Sequence, residues 1–493
     1  MTTTNQPTNP PLAPPAPPTD QIVQTHHSVT INGVEIGYTA TTGIIIMKEE
    51  TEKDGVSTGE QARAGIFFVA YTRDDVTDLS RRPITFAFNG GPGSSSVWLH
   101  LGLLGPHRVL MQEEGWPLPP PGRLTPNQYS LLDVSDLVFI DPVSTGYSRP
   151  VAGESAKQFH DFRKDIESVG DFIRLYVSRY GRWLSPKYLA GESYGTTRAA
   201  GLAGYLQERH GLYLNGLILI SAVLHFQTLS FDHGNDLPYM LFLPAYTATA
   251  FYHRRLEPEL QHDLITTLRA AEAFALGDYA LALLQGDQLD PSATERIITQ
   301  LVRYTGLSRE YIERSRLRIR DDRFVKELLR DQQRTVGRLD SRFTGSDRDA
   351  VGETVEFDPS LTAILGPYTA ALNDYVRQQL GFSSDLPYEI LTERVWPWSF
   401  NDHQNRYVDV AETLRRAMHR NPALRVHVAS GYYDLATPYF ATRYTLSHLA
   451  LDPALRGQIS ESFCPAGHMM YIHEPSLAAL KAVLSDFVSI GER

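Results

Sequence analysis

Apolar positions between residues 27 and 71 come in short runs such as Ser28-Val29-Thr30-Ile31 and Ile66-Phe67-Phe68-Val69-Ala70-Tyr71, punctuated by Asn32-Gly33 and Asp54-Gly55. Turn dipeptides between β-prone runs predict hairpins. From residue 84 the grammar changes. Buried-strand candidates at 84–88, 137–140, 186–190 and 216–222 alternate with segments of helical spacing at 159–178 and 196–208. Such alternation predicts a mostly parallel sheet with helices on both faces. Between about 225 and 387 it changes again. Residues 256–335 are charge-rich with helical spacing, as at Leu260, Leu264 and Leu268 and over 312–329, and carry little strand signal. Strand character resumes at 424–429 and 459–463, and the chain closes on a helix at 476–488. The expected organisation is a tail over 1–22, a first core part over 23–225, a helical cap insertion over 226–387 and a second core part over 388–493.

Composition narrows the function classes. The tail is rich in Pro, Thr and Asn, with Pro10-Pro11, Pro14-Pro15 and Pro17-Pro18, and is expected to be disordered. A formal net charge of -11 argues against a nucleic-acid partner, whose phosphates need a clustered basic surface. Cys464 is the single cysteine, so an internal disulfide is impossible and a cysteine-rich metal site is excluded. The chain lacks an apolar run of the roughly 18 residues that span a bilayer, and its N-terminus does not read as a signal peptide. These features lead to the expectation of a cytoplasmic protein with no membrane partner, a periplasmic or secreted enzyme being the alternative. They leave the oligomeric state open.

Chemistry enters at Gly191-Glu192-Ser193-Tyr194-Gly195. A predicted strand leads into this G-x-S-x-G and a predicted helix leads out, the context that holds a serine hydroxyl on a sharp turn at a helix N-terminus. A serine needs a base and an oriented acid. Of sixteen histidines, His468 in Ala466-Gly467-His468-Met469-Met470 follows the last predicted strand, where the order Ser, acid, His places the base. His473 is the nearby decoy, next to Glu474-Pro475 at the start of the final helix. Asp434, in the loop after 424–429, is the acid that would hold the imidazole tautomer, with a helix-capping role as the plainer reading. Asn89-Gly90-Gly91-Pro92-Gly93 ends the strand at 84–88 and reads as an oxyanion loop, with the N–H of Tyr194 as second donor.

Four blocks in order resemble the serine carboxypeptidases: 89–96, 140–148, 191–195 and Gly467-His468-Met469. The resemblance spans about residues 84–225 and 390–478. It implies an α/β-hydrolase fold with a helical insertion, and cofactor-free release of single residues from peptides with a free C-terminus. By position it implies Ser193 as nucleophile, Asp434 as orienter, His468 as base, and the N–H groups of Gly91 and Tyr194 as oxyanion hole. Asn89, the Gly90 N–H and Glu192 would bind the substrate carboxylate, and Met469 would line the leaving-residue pocket. No metal is implied. An ionised Glu192 would repel a carboxylate, so that role requires the protonated acid.

The chain departs from the family pattern at Leu103, where a second acid usually pairs with the Glu, and at Ala87, Ser94 and Thr196. Losing a like charge lowers the Glu192 pKa while desolvation raises it. The expectation is that the first effect wins, with a pH optimum above the family's acidic one. A serine esterase, acyltransferase or other peptidase on the same scaffold is the alternative activity, and a binding module without catalysis is the third reading.

Overall fold

The computed structural model describes residues 18–489. Three antiparallel strands open it: β1 (Gln21–Ile31), β2 (Val34–Lys53) and β3 (Val56–Arg73). Asn32, Gly33, Asp54 and Gly55 all take positive φ at the two turns, the backbone that tight hairpins require. Six strands follow: β4 (Ile84–Phe88), β5 (Asp136–Ile140), β6 (Lys187–Glu192), β7 (Gly216–Ile220), β8 (Arg425–Gly431) and β9 (Ile459–Cys464). The ten-stranded sheet runs β1-β2-β3-β5-β4-β6-β7-β8-β9, with the short strand Arg149–Pro150 pairing on β3. Pairing is parallel from β5 through β9 and antiparallel among β1, β2, β3 and β5.

The longer helices are α1 (Phe162–Arg179), α2 (Tyr194–His210), α3 (Leu237–Tyr252), α4 (Leu264–Phe274), α5 (Pro291–Thr305), α6 (Pro359–Gln378), α7 (Ala411–Arg420), α8 (Tyr439–Ser447) and α9 (Glu474–Ser489). Every residue of β4, β5, β6 and β7 is buried, because helices cover both faces. The strand period of two divides the core. Val138 and Ile140 of β5 pack with Phe172 of α1, Leu202 of α2 and Leu414 of α7. Leu137 and Phe139 point the other way, into a cluster with Tyr368 and Leu372 of α6 and Leu480 of α9.

Adjacent strands β7 and β8 are separated in sequence by the helical segment, which has its own core. Leu241 and Tyr246 of α3, Leu268 of α4, Leu301 of α5 and Phe324 pack together and close onto Tyr433, Leu435 and Tyr439 from the catalytic side. The structure divides the range 226–387: α6 is buried in the main core, not in the cap's cluster. The expected helix over 312–329 is broken into Arg309–Arg314 and Asp321–Glu327. Between them Arg316 and Leu317 take positive φ, and Tyr279 donates to the Leu317 carbonyl, turning Leu317 and Ile319 into the cap.

Most of the expected tail lies outside the described residues, but its last part is ordered. β1 starts at Gln21, and Asp20 accepts the Ile46 N–H at 2.8 Å and pairs with Arg179 at 2.6 Å. Among the described residues no helix is long and apolar enough to cross a membrane.

Candidate active site

Ser193 sits between the end of β6 and the start of α2 with φ 58° and ψ -130°, a conformation that costs a non-glycine residue of the order of 1–3 kcal/mol. Neighbouring bonds hold it there. Its N–H donates to the Ile220 carbonyl at 3.0 Å, and its carbonyl accepts the Thr196 N–H at 2.8 Å and the Thr196 hydroxyl at 2.7 Å. A side chain at Gly191 would lie 2.2 Å from the Gly195 carbonyl oxygen, so the turn can close only over glycine. Thr196 also accepts the Val223 N–H at 2.9 Å, fastening the elbow to the segment after β7.

Asp434 follows β8 and is fully buried. One carboxylate oxygen accepts the N–H groups of Ala436 and Thr437, the other the Thr437 hydroxyl at 2.8 Å and His468 Nδ1 at 2.7 Å. This is the geometry of an orienting acid; α8, whose N-cap is Pro438, takes no cap from it. With Nδ1–H committed to Asp434, the His468 Nε2 is the free basic nitrogen. Burial works against the charged imidazole, but the charge and hydrogen bond of Asp434 outweigh it, and the His468 pKa lies above 6.5. The His468 backbone is tied on both sides: its N–H donates to Leu339 at 2.7 Å and its carbonyl accepts Ser221 Oγ at 2.6 Å. Asp340, paired with Arg342, accepts the Gly467 N–H at 3.0 Å. Ser193 and His468 line the same cavity of about 390 Å³, without a hydrogen bond closed between them.

The loop after β4 approaches α2 so closely that a side chain at Gly90 would lie 2.4 Å from the Tyr194 nitrogen. Arg198, fully buried one turn into α2, donates to the Asn89 carbonyl at 2.5 Å and pairs through two nitrogens with Asp165 of α1. Farther along the loop, Asp141 accepts the N–H and hydroxyl of Ser96, each at 2.8 Å. Ser94 takes the Trp98 indole N–H at 2.8 Å. The only cysteine, Cys464, is buried and free.

At the other end of the cavity, Glu192 is buried with both oxygens occupied. Asn89 Nδ2 donates to Oε1 at 3.0 Å and the Tyr471 hydroxyl to Oε2 at 2.6 Å. Asn89 Oδ1 accepts the Leu99 N–H, which fixes the amide's orientation. Burial pushes the Glu192 carboxyl up to about 7, despite the opposing pull of His468 and the Tyr471 hydrogen bond. This corrects the sequence expectation: desolvation outweighs the missing second acid. Leu103 is itself buried in the main core, and Met469 lines the cavity with Trp98, Leu361 and Ile364.

All nine expected residues therefore lie on or beside one cavity; Asp434 lies behind its wall, bonded to the lining residues His468, Ala436 and Thr437. His473 does not join them: its Nδ1 bonds Ser476 Oγ at 2.7 Å in the first turn of α9. Sequence reasoning missed Tyr471, Thr437, Ser221, Arg198 and Asp340. Tyr471 and Thr437 lie three residues from His468 and Asp434, a local signal that could have been followed; the other three are brought in by tertiary packing.

A serine elbow, a buried Asp–His pair and a glycine-rich loop at the C-terminal ends of parallel strands define an α/β-hydrolase. The fold agrees with that of Kex1Δp, a prohormone-processing carboxypeptidase from Saccharomyces cerevisiae, with a TM-score of 0.54 over 91% of each chain at 16% identity. Residues 46–240 match the family model described as serine carboxypeptidase. Pheromone-processing carboxypeptidase KEX1 of Saccharomyces cerevisiae is 34% identical over 135 residues, 26% of this chain, and serine carboxypeptidase-like 29 of Arabidopsis thaliana is 30% identical over 142 residues, 28% of this chain. These matches make residues 46–240 similar to the serine carboxypeptidases. The chain spans 17% of the length of the first relative and 27% of the second.

Proposed function

We propose that the protein is a serine carboxypeptidase that hydrolyses the last peptide bond of peptides with a free C-terminus. The observation that carries this reading is a buried, protonatable carboxyl, Glu192, one residue from the candidate nucleophile Ser193 on the same cavity. That spacing limits attack to the bond next to a bound terminal carboxylate. The match of residues 46–240 to the serine carboxypeptidase model supports the same reading.

In the proposed reaction His468 Nε2 takes the Ser193 proton as the hydroxyl attacks the scissile carbonyl, and Asp434 stabilises the imidazolium. The N–H groups of Gly91 and Tyr194 receive the oxyanion; losing one such donor costs about 3 kcal/mol of transition-state stabilisation. His468 then protonates the departing amine, and water repeats the sequence on the acyl-enzyme. The terminal carboxylate is held by protonated Glu192, the Gly90 N–H and the second amide hydrogen of Asn89, while Met469 lines the pocket for the leaving residue.

Turnover of N-blocked dipeptides, set against p-nitrophenyl esters and free-N-terminus amides, tests the reading. Cleavage of the blocked dipeptides, with fluorophosphonate labelling that Ser193→Ala abolishes, is the expected result. Ester hydrolysis with no dipeptide cleavage would replace the peptidase with an esterase, and no labelling at all would leave a binding module.

A further inference from the structure

Among the described residues, Glu192 is the one buried carboxyl lining the cavity that catalysis by Ser193, His468 and Asp434 does not use. Asp434 and His468 face it from the segments after β8 and β9, Asn89 from the loop after β4, Tyr368 from α6 and Tyr471 from the turn Met470–Ile472. Arg108 in turn acts on Tyr368. Tyr471 makes the shortest contact, at 2.6 Å, with its hydroxyl fully buried against the carboxylate.

The ring is admitted by a specific vacancy. The π-helical turn His100–Leu104 runs beside it, and a side chain at Gly102 would lie 2.3 Å from Tyr471 Cε2 and 2.8 Å from the Tyr368 hydroxyl. Leu103, the next residue, turns into the main core. The turn thus supplies space and no charge, and Tyr471 fills that space.

We propose that Tyr471 is a positioning residue that orients the Glu192 carboxyl toward the substrate's terminal carboxylate and sets the pH range over which that recognition operates. This rests on the carboxypeptidase reading. A phenol that donates to Oε2 fixes the carboxyl plane and leaves the acid's own proton free to point at the substrate. Because the phenol stays neutral through the working range, Glu192 titrates as one acid beside His468, not as half of a carboxyl pair. Donation from Tyr471 also favours the ionised form, so the hydroxyl holds the Glu192 pKa below where burial alone would put it.

The test is Tyr471→Phe, which removes one oxygen and keeps the ring, measured as KM against pH for an N-blocked dipeptide acid and for its C-terminal amide. The expected result is that the alkaline rise in KM of the acid moves up by about one pH unit, so that near pH 8 the variant's KM is about fivefold below wild type. The acid limb of kcat should move to lower pH, because a neutral Glu192 no longer supports the charge on His468. Superposable KM profiles in wild type and Tyr471→Phe, with Glu192→Gln still flattening the rise, would overturn the role of Tyr471 alone. A wild-type KM with no pH dependence and no preference for the acid over the amide would overturn the carboxypeptidase reading together with it.

Discussion

The two ends of the cavity are built in opposite ways. The nucleophile end is backbone: a strand end, a strained turn and a helix start, with glycines where main chains touch and Ser193 held by main-chain bonds to Ile220 and Thr196. The carboxylate end is side chain: Asn89, Glu192, Tyr368 and Tyr471 converge from four separate segments, and hydrogen bonds from Asn89 and Tyr471 orient Glu192. Backbone geometry is written into short contiguous motifs. A side-chain cluster is written into the packing of the whole domain, so it can be altered without touching the motifs.

That contrast predicts different responses to mutation. Ser193→Ala and His468→Ala should each reduce kcat by about 10⁴- to 10⁶-fold, with little further loss in the double variant, because the pair acts as a unit. Near-additive losses in single-turnover kinetics would break the nucleophile end apart. Next in size is Arg198→Met, which leaves Asp165 buried without its partner under the oxyanion loop. It should cost about 3–5 kcal/mol in urea unfolding; an unchanged midpoint would show that the brace is idle.

The carboxylate end should answer to pH. Recognition needs neutral Glu192, whose pKa is pushed to about 7, so KM should rise as pH climbs through that value. Catalysis needs neutral His468, whose pKa lies above 6.5, so kcat should fall as pH drops through it. The productive state keeps one proton on Glu192 and none on His468. The competing ion pair holds the same proton on the wrong partner, and the two groups titrate as a pair. A kcat/KM maximum near neutrality is expected; an optimum in the strongly acidic range would contradict it. Smallest of all is Arg179→Ala, which removes a surface ion pair with Asp20 and should cost less than about 1 kcal/mol in thermal unfolding.

How much was legible in the sequence follows the same division. The sheet strands, the elbow, Asp434 and His468 could be read because strand and helix periods and glycine turns are local. The break at Arg316 and Leu317 could not, since neither Gly nor Pro marks it and the cap's own core imposes it. Nor could the membership of α6 in the main core, which is decided by what Tyr368 and Leu372 touch. The direction of the Glu192 shift was misjudged for a related reason. Leu103 reports a missing charge, whereas complete burial by residues far away in the chain decides the outcome.

The most direct test of the central claim is the ratio of kcat/KM for an N-blocked dipeptide acid to that for its C-terminal amide, followed from about pH 5 to 9 in wild type and Glu192→Gln. Both substrates share the chemistry at Ser193 and His468, so the ratio isolates recognition of the terminal carboxylate. The account predicts a ratio well above one that falls about tenfold per pH unit once Glu192 ionises above about 7, and a flat ratio in Glu192→Gln. A ratio near one at every pH in wild type would contradict it.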